Sequence, residues 1–164
     1  MKLTRIIKWV ILTPIILFLL LQLYFLLQIC WWIKFDPSSS SFMREQESIL
    51  REKNPNFELK HQWVPYARIS KNLKRAVIAA EDDGFVDHEG VNWEAMQKAF
   101  DKNKKRGKVV SGGSTITQQL AKNLFLSGQR SYYRKGQELI IAYMLELCLE
   151  KERILEIYLN VVEW

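Results

Sequence analysis

A long apolar segment without charge is the clearest pattern in the chain. Residues 9–33 include no charged side chain and are mostly Leu, Ile, Val or Phe. A helix of this length crosses a hydrocarbon core of about 30 Å with some tilt. The segment is longer than the apolar part of a cleaved signal peptide, and no small-residue cleavage site accompanies it. We therefore predict an uncleaved transmembrane signal anchor over 9–33.

Beyond the anchor the apolar positions follow a helical spacing. Residues 34–42 contain Asp36-Pro37 and a run of serines, which predicts a short linker. Alternating strand patterns are scarce over 43–164, so this part is predicted to be a mostly α domain. The predicted helices cover 43–53, 70–81, 92–100, 115–126 and the stretch from 132, which has a break between 150 and 153. An extended segment is predicted at 61–68 and a polar loop at 101–113.

Helical spacing assigns a buried face to two of these helices. In the helix that Ser70 caps, the predicted inward residues are Leu73, Val77 and Ala80. In the helix that Asn92 caps, they are Trp93, Met96 and Phe100.

Residues 112–123, GGSTITQQLAKN, place a double glycine, hydroxyls, amides and one amino group where a loop becomes a helix. Thr115 and Gln118 have the spacing of a capping box, which predicts that the helix starts there. A buried stripe is predicted at Ile116, Leu120 and Leu124.

Thr115, Gln119 and Lys122 form a separate polar stripe on the same helix, at i, i+4 and i+7. Hydroxyl, amide and amino groups beside free backbone N–H groups suit a ligand that contains sugar and phosphate. The alternative is an ordinary solvated face, and the spacing alone favours neither.

The net charge of +6 is concentrated in the anchor region. Residues 1–34 hold four basic and no acidic residues, whereas the other 130 residues carry 20 basic and 18 acidic ones. Such a balance argues against a nucleic-acid-binding domain. Lys2, Arg5 and Lys8 precede the span, so the positive-inside rule predicts that 1–8 are cytoplasmic and the remainder exported. The expected location is a bacterial inner (cytoplasmic) membrane, with the domain in the periplasm.

A local basic stretch begins in the third predicted helix of the domain and continues through the loop before the fourth. Its members are Lys98, Lys102, Lys104, Lys105, Arg106 and Lys108. The common interpretation is a solvated loop. The alternative is attraction to anionic lipid heads or to the pyrophosphate of a lipid-linked substrate.

The two cysteines and two histidines suggest neither a disulfide nor a metal site. Cys30 lies in the predicted span and Cys148 in a helix far along the chain, so different environments are expected. His61 and His88 lack the spacing of metal ligands.

Glu81 is the first candidate for chemistry. It follows the apolar run 76–80 and precedes Asp82 and Asp83. A carboxylate at the end of an apolar helix is partly desolvated, and neighbouring acids further disfavour its charge. Both effects suit a group that transfers protons. The alternative is an ordinary acidic turn, which the spacing alone favours.

Glu138 is the second candidate. Arg134 and Lys135 precede it by four and three residues, so the three side chains share a helical face. The default interpretation is an exposed salt-bridged face, which adds little stability. Alternatively, Arg130, Arg134 and Lys135 beside a carboxylate can hold a diphosphate and neutralise its charge as it leaves.

Four segments together resemble one family. They are EDDGFVDHEG at 81–90, GGSTITQQLAKN at 112–123, RKGQE at 134–138 with Ala142, Leu145 and Glu146, and the stretch 151–162. In content and order they resemble the signatures of the peptidoglycan glycosyltransferases, which polymerise the lipid-linked cell-wall precursor lipid II. The resemblance covers roughly 61–164.

The resemblance implies a lysozyme-like, mostly α glycosyltransferase domain over 43–164, behind one N-terminal transmembrane helix. It also implies an inverting transfer, in which Glu81 takes the proton of the acceptor 4-hydroxyl and Glu138 is the second carboxylate. Undecaprenyl diphosphate would leave near Lys122, Arg134 and Lys135. The residues implied to bind substrate are Asp82, Phe85, His88, Ser114, Thr115, Gln118, Gln119, Lys122, Asn123, Arg130, Arg134 and Lys135.

No cofactor is implied as a requirement, although a divalent cation, Mg²⁺ or Mn²⁺, is an optional aid in holding the diphosphate. The implied partners are lipid II, the lipid-linked glycan chain, the membrane and proteins of cell division or wall synthesis, with no nucleic acid.

Two departures from the family pattern shape the expectation. Asn92 stands where relatives often carry Asp, and the sequence stops inside the fourth signature, so the C-terminal part of the domain is expected to be missing. Without a second catalytic domain in these residues, the chain resembles the monofunctional type. Two alternatives stay open: a lytic glycosidase that cuts peptidoglycan, and a truncated, non-catalytic membrane-anchored partner in wall synthesis.

Overall fold

The computed structural model describes residues 2–110, 112–129 and 131–163, with side chains from residue 7 onward. The helices of this part of the chain are α1 (Lys2–Trp31), α2 (Ser41–Lys53), α3 (Lys71–Glu81), α4 (Trp93–Arg106), α5 (Ile116–Phe125), α6 (Tyr132–Cys148) and α7 (Lys151–Val161). A single 3-10 turn, Tyr66–Arg68, precedes α3 and ends the segment predicted to be extended. The described residues contain no strand, which confirms the mostly α prediction.

Helix α5 forms the centre of the domain and packs against α2, α6 and α7. The Thr115 hydroxyl accepts from the Gln118 N–H at 3.1 Å, and the Gln118 Oε1 accepts from the Thr115 N–H at 3.0 Å. This reciprocal capping box satisfies two donors that the start of a helix would otherwise leave unpaired. The predicted stripe of Ile116, Leu120 and Leu124 is at most 2% exposed. Both the helix start and its buried stripe are therefore confirmed.

Within the described residues, one helix is long and apolar enough to span a membrane. It is α1, over Ile7–Trp31. Its last turns also pack on the domain. Phe25 is 7% exposed, and its ring centroid lies 4.8 Å from that of Phe125 on α5. Gln22 Nε2 donates to Gln137 Oε1 on α6 at 3.0 Å. The same helix thus serves as candidate anchor and as part of the domain's packing.

Arg153 on α7 holds the chain where it leaves α1. Its Nε donates to the Trp32 carbonyl at 2.9 Å, and its Nη2 donates to the Phe35 carbonyl at 2.8 Å and to Asp36 at 2.9 Å. Carbonyls at the end of a helix lack donors within the helix, so a guanidinium with several N–H groups is well suited to this position.

Two predictions about α4 are wrong. The helix continues to Arg106, where a loop had been predicted from 101, and ends at Gly107 with φ +64°. Glycine adopts this left-handed conformation readily, which makes it a common helix terminator. Trp93 and Phe100 are exposed, because α4 turns Ala99 toward the domain instead.

The predicted inward face of α3 is also largely wrong. Val77 is buried, but Leu73 is 48% exposed and Ala80 is exposed. The reason is position: α3 lies at the margin of the domain and makes no extensive contact with another helix.

Cys30 and Cys148 do not lie in different environments. Their Sγ atoms are 3.4 Å apart, and both residues are free cysteines that no disulfide joins. The prediction failed because α6 runs alongside the last turns of α1, a contact that no local pattern reveals.

Candidate active site

A cleft of about 270 Å³ opens between the end of α3, the start of α4 and the loop before α5. It is lined by Glu81, Asp83, Asn92 and the segment 112–115, among others. A Cβ on Gly113 would lie 2.9 Å from the Met96 Cα, so the loop can approach α4 this closely only with glycine there. Gly113 therefore shapes one wall of the cleft.

Glu81 is held by a chain of hydrogen bonds from two other helices. Gln119 Nε2 on α5 donates to Glu81 Oε2 at 2.9 Å, and the Tyr158 hydroxyl on α7 donates to Gln119 Oε1 at 3.0 Å. Glu81 also lines the cleft. Glu81 is exposed, and the expectation of a partly desolvated carboxylate is wrong.

Tyr158 supplies its hydroxyl from the core. The residue is 1% exposed, and burial, together with the charges of Glu81 and Asp82, raises its pKa above the ordinary value of 10.0. The hydroxyl therefore stays protonated at neutral pH and can donate to Gln119. In the sequence, Tyr158 was noted only as part of the signature stretch 151–162. A buried tyrosine needs a partner for its hydroxyl, and that was the signal available.

Asp82 and His88 tie the loop after α3 to the start of α5. His88 Nε2 lies 3.0 Å from both Asp82 oxygens, and Asp82 Oδ2 accepts from the Ile116 N–H at 3.0 Å. The Gly90 N–H donates to His88 Nδ1 at 3.1 Å, so the network assigns the ring proton to Nε2. Asp82 is 7% exposed, and its acceptor oxygens have partners within the protein.

The other buried residues of the first two signatures also have internal partners. The Thr115 hydroxyl donates to the Gly90 carbonyl at 2.6 Å. Phe85 is 1% exposed, with the Lys151 Nζ 4.7 Å from its ring centroid. Gln118 is fully buried within the capping box. These buried side chains stabilise the backbone segments that line the cleft.

Glu138 lies on α6 in a basic surrounding. It is 3% exposed and forms ion pairs with Arg134, at 2.9 Å, and with Lys135. The predicted exposed salt-bridged face is therefore a partly buried cluster around a buried carboxylate. Arg134 Nε is buried and has no partner among the described residues.

Ser114 connects this cluster to the Glu81 cleft. Lys135 Nζ donates to the Ser114 Oγ at 3.0 Å, and Ser114 also lines the cleft beside Glu81. The second and third signatures thus meet at one hydroxyl.

Lys122 and Asn123 lie on the far turns of α5. Lys122 Nζ is 4.9 Å from the Phe42 ring centroid, a distance typical of a cation–π contact. Asn123 is 1% exposed and donates to the Gln119 carbonyl at 2.9 Å. Arg130, predicted to bind substrate, lies outside the described residues.

The sequence did not identify a second ion pair, which is partly buried. Lys151 Nζ contacts Glu146 Oε1 at 2.8 Å and donates to the His88 carbonyl at 2.6 Å, while the Thr117 hydroxyl donates to the same Glu146 oxygen at 2.6 Å. This network joins all four signature segments. Its members are distant in sequence, so only the fold brings them together.

The described residues include no group of three or more His, Cys, Asp or Glu side chains arranged to hold a metal ion. Glu138 is ion-paired with two basic side chains, and the Asp82 oxygens already accept from the Ile116 N–H and His88. The donor set in this part of the chain does not fit a protein-bound divalent cation.

Comparison with known proteins agrees with this arrangement. The transglycosylase family model matches residues 46–164. The biosynthetic peptidoglycan transglycosylases of Janthinobacterium sp. (strain Marseille) and Herminiimonas arsenicoxydans are 68% and 65% identical over 162 residues, which are 99% of this chain and 70% of each relative. The protein of the same name from Bordetella pertussis is 54% identical over 164 residues, covering 98% of this chain and 68% of the relative.

The family match begins within α2 and includes every residue of the cleft and of the Glu138 cluster. The transglycosylase domain is lysozyme-like and helical, in keeping with the helices described here. With a family model over most of its length and relatives above half identical, the chain belongs to the transglycosylase family.

Proposed function

We propose that this protein is a peptidoglycan glycosyltransferase that polymerises lipid II by inverting transfer, with Glu81 as the general base. The observation that carries this assignment is the hydrogen bond from Gln119 to Glu81, an exposed carboxylate that lines the cleft. A base must reach the proton it removes, and a carboxylate fixed through one oxygen can present the other.

In the proposed reaction Glu81 takes the proton of the sugar 4-hydroxyl of the acceptor, lipid II. That oxygen forms a bond to the anomeric carbon of the lipid-linked glycan chain. The bond between this carbon and the diphosphate oxygen breaks, and undecaprenyl diphosphate leaves with the electron pair. The configuration at the anomeric carbon inverts, because attack and departure occur on opposite faces.

The Glu138 cluster is the proposed site for the diphosphate. Arg134 and Lys135 supply positive charge where negative charge develops on the leaving group. Glu138 orients both basic side chains, and Lys135 reaches Ser114 at the cleft. Lys122 and Gln119 extend the polar face toward the sugars. Asp82, Phe85, His88, Thr115 and Gln118 position the cleft through the internal contacts described above.

A divalent cation is not assigned to the protein itself. If Mg²⁺ or Mn²⁺ takes part, the diphosphate oxygens are its proposed ligands, and it would supply further charge neutralisation. No step of the proposed mechanism depends on it.

The proposed location is the bacterial inner membrane, with 1–8 in the cytoplasm and the domain in the periplasm. The apolar helix α1 and the basic residues Lys2, Arg5 and Lys8 support this orientation. Proteins of cell division or wall synthesis are proposed partners on the same side.

The test is polymerisation of lipid II by the purified full chain in detergent. Wild-type protein should produce glycan chains and undecaprenyl diphosphate, and Glu81→Gln should lose at least about 100-fold in rate, as expected for a general base. Glu52→Gln, which changes an exposed carboxylate on α2, is the matched control and should retain the wild-type rate. Normal polymerisation by Glu81→Gln would refute the base assignment. Release of soluble muropeptides from sacculi without polymerisation would instead favour a lytic glycosidase.

A further inference from the structure

The chain has two cysteines, and the fold brings them into contact. Cys30 is next to the last residue of α1 and Cys148 is the last residue of α6. Although 118 positions separate them, their Sγ atoms lie 3.4 Å apart as free thiols. A disulfide needs a sulfur separation of about 2.0 Å, so a small side-chain movement would bring the pair to bonding distance.

The contact belongs to an interface with a second fixed point. Gln22 and Gln137 are hydrogen-bonded at 3.0 Å on the same two helices, away from the cysteine end. Ile29 and Leu149, which neighbour the two cysteines in sequence, are 0% and 5% exposed. The apposition of the thiols therefore rests on a packed helix pair.

We propose that Cys30 and Cys148 form a reversible disulfide that links the anchor helix covalently to the catalytic domain. This rests on the proposed orientation, because disulfides persist on the oxidising side of the membrane. Both thiols lose their protons and one electron each. A disulfide oxidant takes up the two electrons and two protons and becomes two thiols.

The exchange proceeds in two steps. The oxidant first forms a mixed disulfide with one thiol, and the other thiol, 3.4 Å away, then displaces it. Burial and the contact with Cys30 raise the pKa of the Cys148 thiol to about 11. The thiolate is the attacking species, so closure should accelerate as the pH rises toward that value.

The bond would fix the helix that carries the diphosphate cluster. Arg134, Lys135 and Glu138 all lie on α6, whose end would then be tied to the point where α1 leaves the membrane. The distance of these three side chains from the bilayer would then be set by a covalent bond as well as by the packing of α1 against α6. Closing a loop of this length also restricts the unfolded chain, which stabilises the folded protein.

The first experiment counts thiols in cells that express the full chain. Cells are quenched in acid, free thiols are blocked with N-ethylmaleimide, disulfides are reduced, and new thiols are tagged with a polyethylene-glycol maleimide. Wild-type protein should gain two tags after reduction, while Cys30→Ala and Cys148→Ala should gain none. Free thiols at both positions in the wild type would overturn the proposal.

A matched control moves the thiol by one residue on α6. The control is the double variant Leu147→Cys/Cys148→Ala. Its thiol is at position 147, where the native leucine is 81% exposed. It should remain free of Cys30. Crosslinking as efficient as in the wild type would show nonspecific oxidation and overturn the proposed geometry.

A reporter separates this proposal from the proposed function. Ser127→Cys, in an exposed loop, is added to the double variant Cys30→Ala/Cys148→Ala and treated with a membrane-impermeant maleimide in intact cells. Labelling from outside together with free wild-type thiols overturns the disulfide and leaves the orientation intact. Labelling only after lysis overturns the orientation, and the disulfide with it. Lipid II polymerisation by the double variant should persist, which tests the function independently.

With purified protein and oxidised glutathione, closure should be faster at pH 9 than at pH 7, because more of the attacking thiol is ionised. The Tm of the oxidised form should be at least about 5 °C above that of the reduced form. The disulfide closes a long loop and so lowers the conformational entropy of the unfolded chain. An unchanged Tm in the verified disulfide form would overturn the proposed link between anchor and domain.

Discussion

Gln119 on α5 joins Glu81 and Tyr158: its amide nitrogen donates to the Glu81 carboxylate at 2.9 Å while its amide oxygen accepts from the Tyr158 hydroxyl at 3.0 Å. The amide cannot rotate without losing both contacts, because its two ends differ in polarity. A core residue of α7 therefore fixes the orientation of a side chain that holds the proposed base.

Tyr158→Phe should reduce kcat for lipid II polymerisation about five- to tenfold with little change in KM. The variant keeps the buried ring and removes the hydroxyl, so Gln119 loses the donor that orients it, at a cost of about 1 kcal/mol. Initial rates over a range of lipid II concentrations measure the split. Tyr143→Phe, at a 45% exposed position on α6, is the control and should match the wild type. A change confined to KM would argue against positioning of Glu81.

How far sequence patterns predicted the structure depended on whether the cause was local. The start of α5 was predictable because Thr115 and Gln118 are three residues apart and satisfy each other. Its buried stripe was predictable because a helix surrounded on several sides needs one. The same reasoning wrongly predicted that Trp93 and Phe100 are buried. Spacing shows which residues share a helix face but not whether another element covers that face.

The candidate site could be assembled from sequence only through the family resemblance. Glu81, Gln119 and Tyr158 are separated by 38 and 39 positions, and no propensity or period connects them. The same holds for Cys30 and Cys148, which were expected apart because one lay in the apolar segment. Whether α1 would fold back against α6 depended on tertiary packing.

Glu138→Gln should destabilise the protein by on the order of 3 kcal/mol. Within the described residues, Glu138 is the carboxylate that pairs with Arg134 and Lys135, so its loss leaves two uncompensated positive charges in a partly buried cluster. Thermal unfolding in detergent measures the effect, with lipid II polymerisation expected to fall as well. Glu94→Gln breaks the pair with Lys98 on the surface of α4 and should leave Tm unchanged. Equal effects of the two variants would show that burial of the cluster is unimportant.

Gly90→Ala should destabilise the protein by about 1–3 kcal/mol, whereas Gly136→Ala should stabilise it by about 0.5–1 kcal/mol. Gly90 has φ +85°, and an added Cβ would lie 2.9 Å from the Glu146 Cγ. Gly136 lies within α6, and an added Cβ there would meet nothing within 4 Å. Chemical or thermal unfolding of the two variants is the measurement. Shifts of the same sign would contradict the explanation from backbone conformation.

Stability should fall above about pH 10 because Tyr158 must remain protonated in the folded protein. Burial first, and then the charges of Glu81 and Asp82, raise its pKa above the ordinary value of 10.0. The unfolded chain releases this proton near pH 10 and the folded protein retains it, so above that pH the folded state binds more protons than the unfolded state. The stabilisation from the Tyr158 hydroxyl is therefore complete below about pH 10 and is lost above it, by up to about 1.4 kcal/mol per pH unit.

Tm measured between about pH 8 and pH 11 should decline less steeply in Tyr158→Phe than in the parent, since phenylalanine carries no titrating group. Both proteins should carry Cys148→Ala, because burial of that thiol raises its pKa to about 11 and acts in the same direction. Parallel declines would show that the Tyr158 hydroxyl titrates in the folded protein as it does in the unfolded chain.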